Sequence, residues 1–265
     1  MTNKLLGQNW LVNPKIHEAI LAAGEIGSSD TVLEVGPGTG LLTEHLVKTG
    51  ARILAVEKDP KLVEILQEKF KNYKNVTIIS DDILKFDHTQ YKIPDKRYKL
   101  IGNIPYYLTS HLLRIALEKW PSPERLVLMI QKEVAQRIVA KPPQMSLLAL
   151  SVQFYAETKI MRSVAKGNFR PTPKVDSAII KITPRALSFE QKRLAPVLFK
   201  IARAGFEGKR KQILNSLSTN LNLPKADLEN TLTQSQIDPH RRPETLNLQE
   251  WLNLSSSLSS LLLAD

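Results

Sequence analysis

The tetrad Asn103-Ile104-Pro105-Tyr106 puts an amide side chain, a carbonyl held extended by the following proline, and an aromatic ring into four consecutive positions. It follows an apolar run, Tyr98 to Gly102, that reads as a buried strand, so it falls at a strand's carboxyl end. Such a group suits a planar amine. The exocyclic nitrogen of adenine is a poor nucleophile because its lone pair is delocalised into the ring. Two acceptors, the Asn103 side-chain oxygen and the Ile104 carbonyl, would take its two hydrogens and favour a tetrahedral, nucleophilic geometry, with Tyr106 stacked on the purine. Stacking and hydrogen bonding of an extruded base is how enzymes present a base for chemistry. The same four residues also spell an ordinary Asn-x-Pro turn beside a packed tyrosine, and the tetrad alone does not separate the two.

Three more groups are spaced to hold a ligand. The run Thr31 to Val35 breaks into Gly36-Pro37-Gly38-Thr39-Gly40 and then into a helical pattern carried by Leu41, Leu42, His45 and Leu46. Gly36 and Gly38 allow close passage of the backbone past a ligand, and the following helix points unpaired N–H groups toward it. The dinucleotide fingerprint needs a glycine directly after Gly40; Leu41 stands there, which weakens a pyrophosphate reading. A second apolar run, Arg52 to Val56, ends on Glu57, which lies 21 positions after Gly36 and suits an acceptor for ribose hydroxyls, or else a partner for Lys58 or a cap for the helix beginning at Pro60. A third run, Val76 to Ser80, ends in Asp81-Asp82, placed to meet an adenine amino group; paired aspartates also suit magnesium, but no phosphate-gripping Gly-x-x-x-x-Gly-Lys-Ser/Thr loop accompanies them, so no metal is expected.

The elements that must position these groups alternate. Helices are expected over Pro14–Ala23 and Pro60–Phe70, a fifth strand over Arg125–Gln131, helices over 132–139 and 146–154, and two more strands over 158–164 and 175–182. The loop Asn168 to Lys174 carries Phe169 among polar and basic neighbours; opposite Tyr106 it would complete an aromatic sandwich on a base, leaving Arg170 and Lys174 for phosphates, although a lone aromatic usually belongs to a core. From Phe189 the pattern is wholly helical and basic, with Lys192, Arg193, Lys200, Arg203, Lys209, Arg210 and Lys211 against only Glu207 between residues 192 and 211. A basic turn, Asp238 to Pro243, contains Arg241 and Arg242.

With 265 residues the chain is long enough for one large domain or a domain with a small appendage. It has no cysteine, which excludes disulfides, zinc–thiolate sites and thiol nucleophiles. Residues 1–8 lack an apolar signal core and no apolar run reaches membrane-spanning length, so a cytoplasmic protein without a membrane partner is expected. The net charge is +11, and residues 159–265 carry 17 Lys/Arg against 9 Asp/Glu. That asymmetry favours a polyanionic partner, nucleic acid before acidic membrane.

Together the residues resemble the ribosomal RNA adenine dimethyltransferase family, whose small-subunit members are associated with kasugamycin sensitivity. The carriers span almost the whole chain: Gly7-Gln8-Asn9, the Glu34 to Gly40 turn, Glu57, Asp82, the Asn103 tetrad, Gln131-Lys132-Glu133-Val134-Ala135, and Phe169 through Pro173-Lys174-Val175-Asp176-Ser177-Ala178. The resemblance implies an α/β, Rossmann-like class I methyltransferase fold with a seven-stranded, mostly parallel sheet over residues 1–185, and a small basic α-helical RNA-contacting domain over 186–265. It implies S-adenosylmethionine as cofactor, with Asn9, Leu11, Gly36, Gly38, Glu57 on the ribose, Lys58, Asp82 at the adenine, Ile83 and Asn103 in its site. The implied catalytic group is Asn103, Ile104, Pro105, Tyr106 and Phe169, and the implied RNA contacts are Arg170, Lys174, Lys209, Arg210, Lys211, Arg241 and Arg242. The implied reaction dimethylates two adjacent adenosines near the 3′ end of 16S rRNA in the immature small subunit, by a monomer.

Three departures stand out: Leu6 and Trp10 replace phenylalanines that usually flank Gly-Gln-Asn, Gln144-Met145-Ser146 replaces a Tyr-Gly-containing run, and Gly208-Lys209-Arg210-Lys211 replaces Gln-Arg-Arg-Lys. Two rival readings share many of these residues: a macrolide-resistance methyltransferase acting on 23S rRNA, and a non-catalytic nucleic-acid binder of the same fold.

Overall fold

Apolar runs of five to seven residues bury both faces only when stacked side by side under covering helices. In a computed structural model of the chain, which describes residues 9–93, 95, 97–208 and 211–262 with backbone alone at 106 and 260–262, they do so. The first sheet strands are β2 (Thr31–Val35), β3 (Arg52–Glu57), β4 (Val76–Ser80), β5 (Tyr98–Asn103) and β6 (Arg125–Gln131), preceded by a two-residue β1 (Trp10–Leu11). Between them run α1 (Pro14–Gly24), α2 (Leu41–Val47), α3 (Pro60–Phe70) and α4 (Thr109–Glu118). After β6 come α5 (Lys132–Val139), α6 (Leu147–Tyr155), β7 (Ala156–Val164), β8 (Phe169–Arg170) and β9 (Ser177–Pro184). The chain closes with α7 (Phe189–Phe206), α8 (Ile213–Leu221), α9 (Lys225–Gln234) and α10 (Leu248–Leu262). Leu6, Gly7, Gln8, Lys209, Arg210 and the Tyr106 side chain, each given a role above, lie outside the described residues.

The sheet order is β4-β3-β2-β5-β6-β9-β7. Neighbours from β4 to β6 are parallel, and β9 pairs antiparallel with β6 and β7. All seven expected strands are present, with ends displaced by two residues at most. The chain winds outward from β2 to β4, then returns to β5 on the other flank of β2. That reversal creates a switch point at the carboxyl ends of β2 and β5, where open α/β sheets bind ligands. Register pairs Val35 with Gly102, so the glycine turn and Asn103 emerge side by side. Local chemistry sets the helix starts: Asn13 and Asp59 accept from the N–H of Lys15 and Lys61, each 3.0 Å away, with proline next in line. The inward face of α1, Ile16, Ile20 and Ala23, packs with Val32, Ile53, Ile101 and Val127.

One pairing has no counterpart in the sequence reading. Residues 168–174 were expected to be a plain loop, yet Phe169–Arg170 forms β8, paired antiparallel with β1, Leu11 opposite Phe169 and Trp10 opposite Arg170. Asn13 Nδ2 donates to Asn168 Oδ1 at 2.7 Å beside it. The described residues divide into two compact units, one running to Gln136 and including Ala156–Pro184, the other comprising Arg137–Tyr155 and everything from Arg185. Residues 137–155, ahead of the expected boundary at 185, thus fall in the second unit. There Trp251 stacks on Phe206 with ring centroids 5.3 Å apart, and Ser188 with Gln191 forms a capping box that starts α7.

Candidate active site

The carboxyl ends of β4, β3, β2 and β5 line one cavity, and the residues after each strand reach it: Asp82, Glu57, Gly36 and Asn103. Three interstrand spacings make this row about 14 Å long, room for an extended nucleoside with an appended chain. Asn9, Leu11, Gly38, Lys58, Ile83, Ile104, Pro105 and Phe169 line it too, so the residues expected at the cofactor or catalytic site border this one cavity, Tyr106 aside, whose side chain lies outside the described residues.

Gly36 has φ +65°, and a Cβ built there would meet nothing within 4 Å; the backbone at this turn is bare on the cavity side. The Gly38 N–H donates to Glu57 Oε2 at 3.1 Å, and Glu57 Oε1 accepts from the N–H groups of Lys58 and Asp59 at 2.9 and 3.0 Å. Three backbone donors thus lock the carboxylate and leave an acceptor position on Oε2 for a hydroxyl. Asp82 Oδ1 accepts from the Leu84 N–H, and Oδ2 takes the Lys58 ammonium at 2.8 Å. That lysine holds the Asp82 carboxyl below its ordinary range, and Asp82 in turn raises the Lys58 ammonium. Asn103 Nδ2 donates to the Asn9 carbonyl at 3.0 Å, which commits the donor end of the amide and leaves the oxygen end as the acceptor. The Ile104 N–H is bound to Met129 O at 3.0 Å, fixing the peptide whose carbonyl precedes Pro105.

The remaining expected residues differ in setting. Phe169 lines the cavity, is 1% exposed and belongs to the main core with Leu11 and Met129. The Arg241 guanidinium, expected to meet RNA, binds Glu250 at 2.5 Å and the Thr245 carbonyl at 2.6 Å, tying a turn to α10. Arg170 donates to the carbonyls of Gly167 and Phe169. Lys174, Lys211 and Arg242 are exposed.

Trp10, His17, Glu34 and Tyr107 also line the cavity, and the sequence reading gave none of them a place at the site. Glu34 is 1% exposed, accepts from Thr43 Oγ1 at 2.7 Å, and its carboxyl is pushed up to about 8 by burial. A lone charge inside an apolar strand was its signal. His17 is 3% exposed; burial, with His45 beside it at 4.8 Å between ring centroids, lowers it to about 4. Its signal was a titratable residue among the apolar positions of α1. Tyr107 is 68% exposed at the rim. Among the described residues, six buried side-chain polar atoms lack a partner, and Trp10 Nε1, His17 Nδ1 and Glu34 Oε1 are three of them. The bare turn at Gly36 and the acceptor left on Glu57 fit a polar nucleoside-type ligand. No group of three or more His, Asp or Glu among the described residues is arranged to hold a metal ion.

Comparison with known proteins agrees with the geometry. Residues 1–260 match the family model for ribosomal RNA adenine dimethylase. A ribosomal RNA small subunit methyltransferase A from Dehalococcoides mccartyi is 45% identical over 251 residues, covering 95% of this chain and 86% of the relative. One of the same name from Clostridium botulinum is 40% identical over 266 residues, covering 98% and 95%. Among solved structures, a dimethyladenosine transferase from Plasmodium falciparum superposes with a TM-score of 0.78 at 27% identity, covering 94% of this chain and 97% of that one. A 23S rRNA methyltransferase superposes with 0.74 at 27%, covering 95% and 100%.

Proposed function

Since the chain belongs to the ribosomal RNA adenine dimethylase family, we propose that its cavity binds S-adenosylmethionine and presents an adenine of small-subunit rRNA to it at Asn103. The protein is an S-adenosylmethionine-dependent rRNA adenine dimethyltransferase of class I methyltransferase fold. The cofactor supplies a methyl group on a positively charged sulfur. Glu57 would hold the ribose hydroxyls, Asp82 and the Ile83 peptide the adenine, and the turn at Gly36 and Gly38 the remainder, with Asn9, Leu11 and Lys58 closing the wall.

The observation that carries the reading is the Asn103 amide at the cavity, its donor end committed to the Asn9 carbonyl so that its oxygen end is the acceptor for an amine. With the Ile104 carbonyl it would bind both hydrogens of the target amino group, so that the nitrogen lone pair is directed at the methyl. Catalysis is then positioning and dipole placement. Nothing in the tetrad is basic at neutral pH, so the amine proton leaves to water after transfer, once the nitrogen has become acidic.

The targets in this reading are two adjacent adenosines near the 3′ end of 16S rRNA in an immature small subunit, reached by a monomer in the cytoplasm. The names of relatives at 40–45% identity support the small-subunit target over the 23S one, and the exposed lysines and arginines support RNA as partner. Among the described residues no helix is long and apolar enough to cross a membrane. Asn103→Ala is expected to cut methyl incorporation into immature small subunits by at least about 100-fold, the scale of losing one preorganised dipole at the reacting atom, while melting like the parent. Near-normal incorporation would refute the role of Asn103. Mapping dimethyladenosine in both rRNAs of a deletion strain tests the target.

A further inference from the structure

The first turn of α7 leaves an apolar ring in water. Ser188 and Gln191 close the capping box, so the helix start needs nothing from the residue at its first position, Phe189. Leu187 before it and Leu194 after it pack against the core of this unit, but Phe189 does not and is 79% exposed. An aromatic is an indifferent helix former and gains nothing from a ring left in water, so neither local nor core stability accounts for it.

The ring is the end of a stripe. Residues three and four apart share a helix face, so Phe189, Lys192, Arg193, Lys200 and Arg203 fall along one side of α7, with Pro196 in the middle. All of them are exposed, while Leu198, Ile201, Ala202 and Gly205 on the opposite side are buried. At the helical rise the stripe is about 21 Å long, too long for one phosphate and suited to a strand of them. Glu190, the acidic residue of α7, lies about 100° round the helix and accepts from the Ser188 hydroxyl at 3.4 Å. Among the described residues no carboxylate pairs with any of the four cations.

A row of unpaired cations answers a polyanion, and an exposed ring in line with them answers a flat apolar face. RNA with unpaired nucleotides offers both; a duplex offers the phosphates but keeps its base faces stacked. An anionic membrane takes a broad apolar helix face, and that of α7 is used up in its own core. We propose that the outer face of α7 is a track for an unpaired RNA strand, on which Phe189 stacks a base while Lys192 and Arg193 hold the phosphates beside it. The site lies within the second unit. It rests on rRNA as the partner and not on the cofactor.

Oligouridylate is the probe, since it has no adenine for the cavity, and its duplex with oligoadenylate is the control. In the full chain, Phe189→Ala should weaken oligouridylate about tenfold, the scale of one base stacked on an aromatic. Duplex affinity and the slope of log affinity against log salt should stay as in the parent, because no charge is lost. Phe189→Trp should restore parent affinity; Phe189→Leu, apolar without a ring, should not. 5′-Methylthioadenosine, the adenosine and sulfur of the cofactor, should bind all three as it binds the parent, and its loss would make Phe189 a folding residue and overturn the site. Parent-like oligouridylate binding by Phe189→Ala or Phe189→Leu overturns it too, and loss of phosphatidylserine vesicles alone makes the ring a membrane contact instead. So does equal weakening of single strand and duplex count against stacking. A parent that ignores oligouridylate yet methylates immature subunits overturns the site and leaves the proposed activity standing; one that binds oligouridylate but methylates nothing sinks that activity alone.

Discussion

Glu34 shows how much one side chain's surroundings decide. In a strand it reads as a misplaced charge; at 1% exposure with a carboxyl at about 8 it is protonated at neutral pH unless a cation meets it. The unfolded chain loses this proton near 4.5, the folded chain not until about 8, so the folded state binds the proton more tightly between these values. Its contribution to stability therefore falls as pH rises through that window and levels off above it. Glu34→Gln carries no charge at any pH. Its melting temperature should match the parent's near pH 5 and exceed it increasingly up to pH 8.5 without cofactor, with a ceiling of about 5 kcal/mol for a shift of this size. Parallel melting curves across the range would show that folding leaves the Glu34 carboxyl at its unfolded pKa.

At the scale of elements, the glycine turn separates two requirements. Gly40, the N-cap of α2, has φ +79°, and a Cβ there would stand 2.8 Å from the Phe70 ring and 2.9 Å from Leu66, both on α3. Gly40→Ala combines left-handed strain with overpacking and should cost about 3 kcal/mol in a denaturant melt. Gly36→Ala has strain alone and should cost about 1 kcal/mol, yet it fills the bare face of the turn and should weaken cofactor binding more than Gly40→Ala does. If the order in either measurement is reversed, the division between packing and binding along the turn is wrong. The ribbon of β1 and β8 matters at the same scale, because it holds Asn9 where its carbonyl can fix the Asn103 amide.

Over the whole molecule, charge follows the division of labour. Lys192, Arg193, Lys200 and Arg203 are exposed on α7, and the last 107 residues carry most of the net charge. With RNA as partner, Lys192, Lys200 and Arg203 changed together to Gln should lower the slope of log affinity against log salt by about 2, near 0.7 for each phosphate of a single strand that is no longer neutralised. Methylthioadenosine affinity should stay as in the parent. An unchanged salt slope would place the RNA elsewhere.

What the sequence by itself determined was local. A run of β-branched residues makes a strand whatever it packs on, Asn13 and Asp59 with their prolines start helices from their own backbone, and Gly36, Glu57, Asp82 and Asn103 each stand at or just after the end of a strand. A parallel α/β sheet carries all strand ends to one edge, so the pattern of elements was enough to bring those four together. Only the tertiary structure decided the rest: the pairing of Leu11 with Phe169, the burial of that phenylalanine, the bond from Asn103 to Asn9, the seat of His17 at the cavity, and the engagement of Arg241 by Glu250. Most of these join residues far apart along the chain through two-residue strands or single hydrogen bonds. Such pairings leave no periodicity in the sequence, because each is set by where the sheet and its covering helices deliver the two partners and by nothing in their own neighbours.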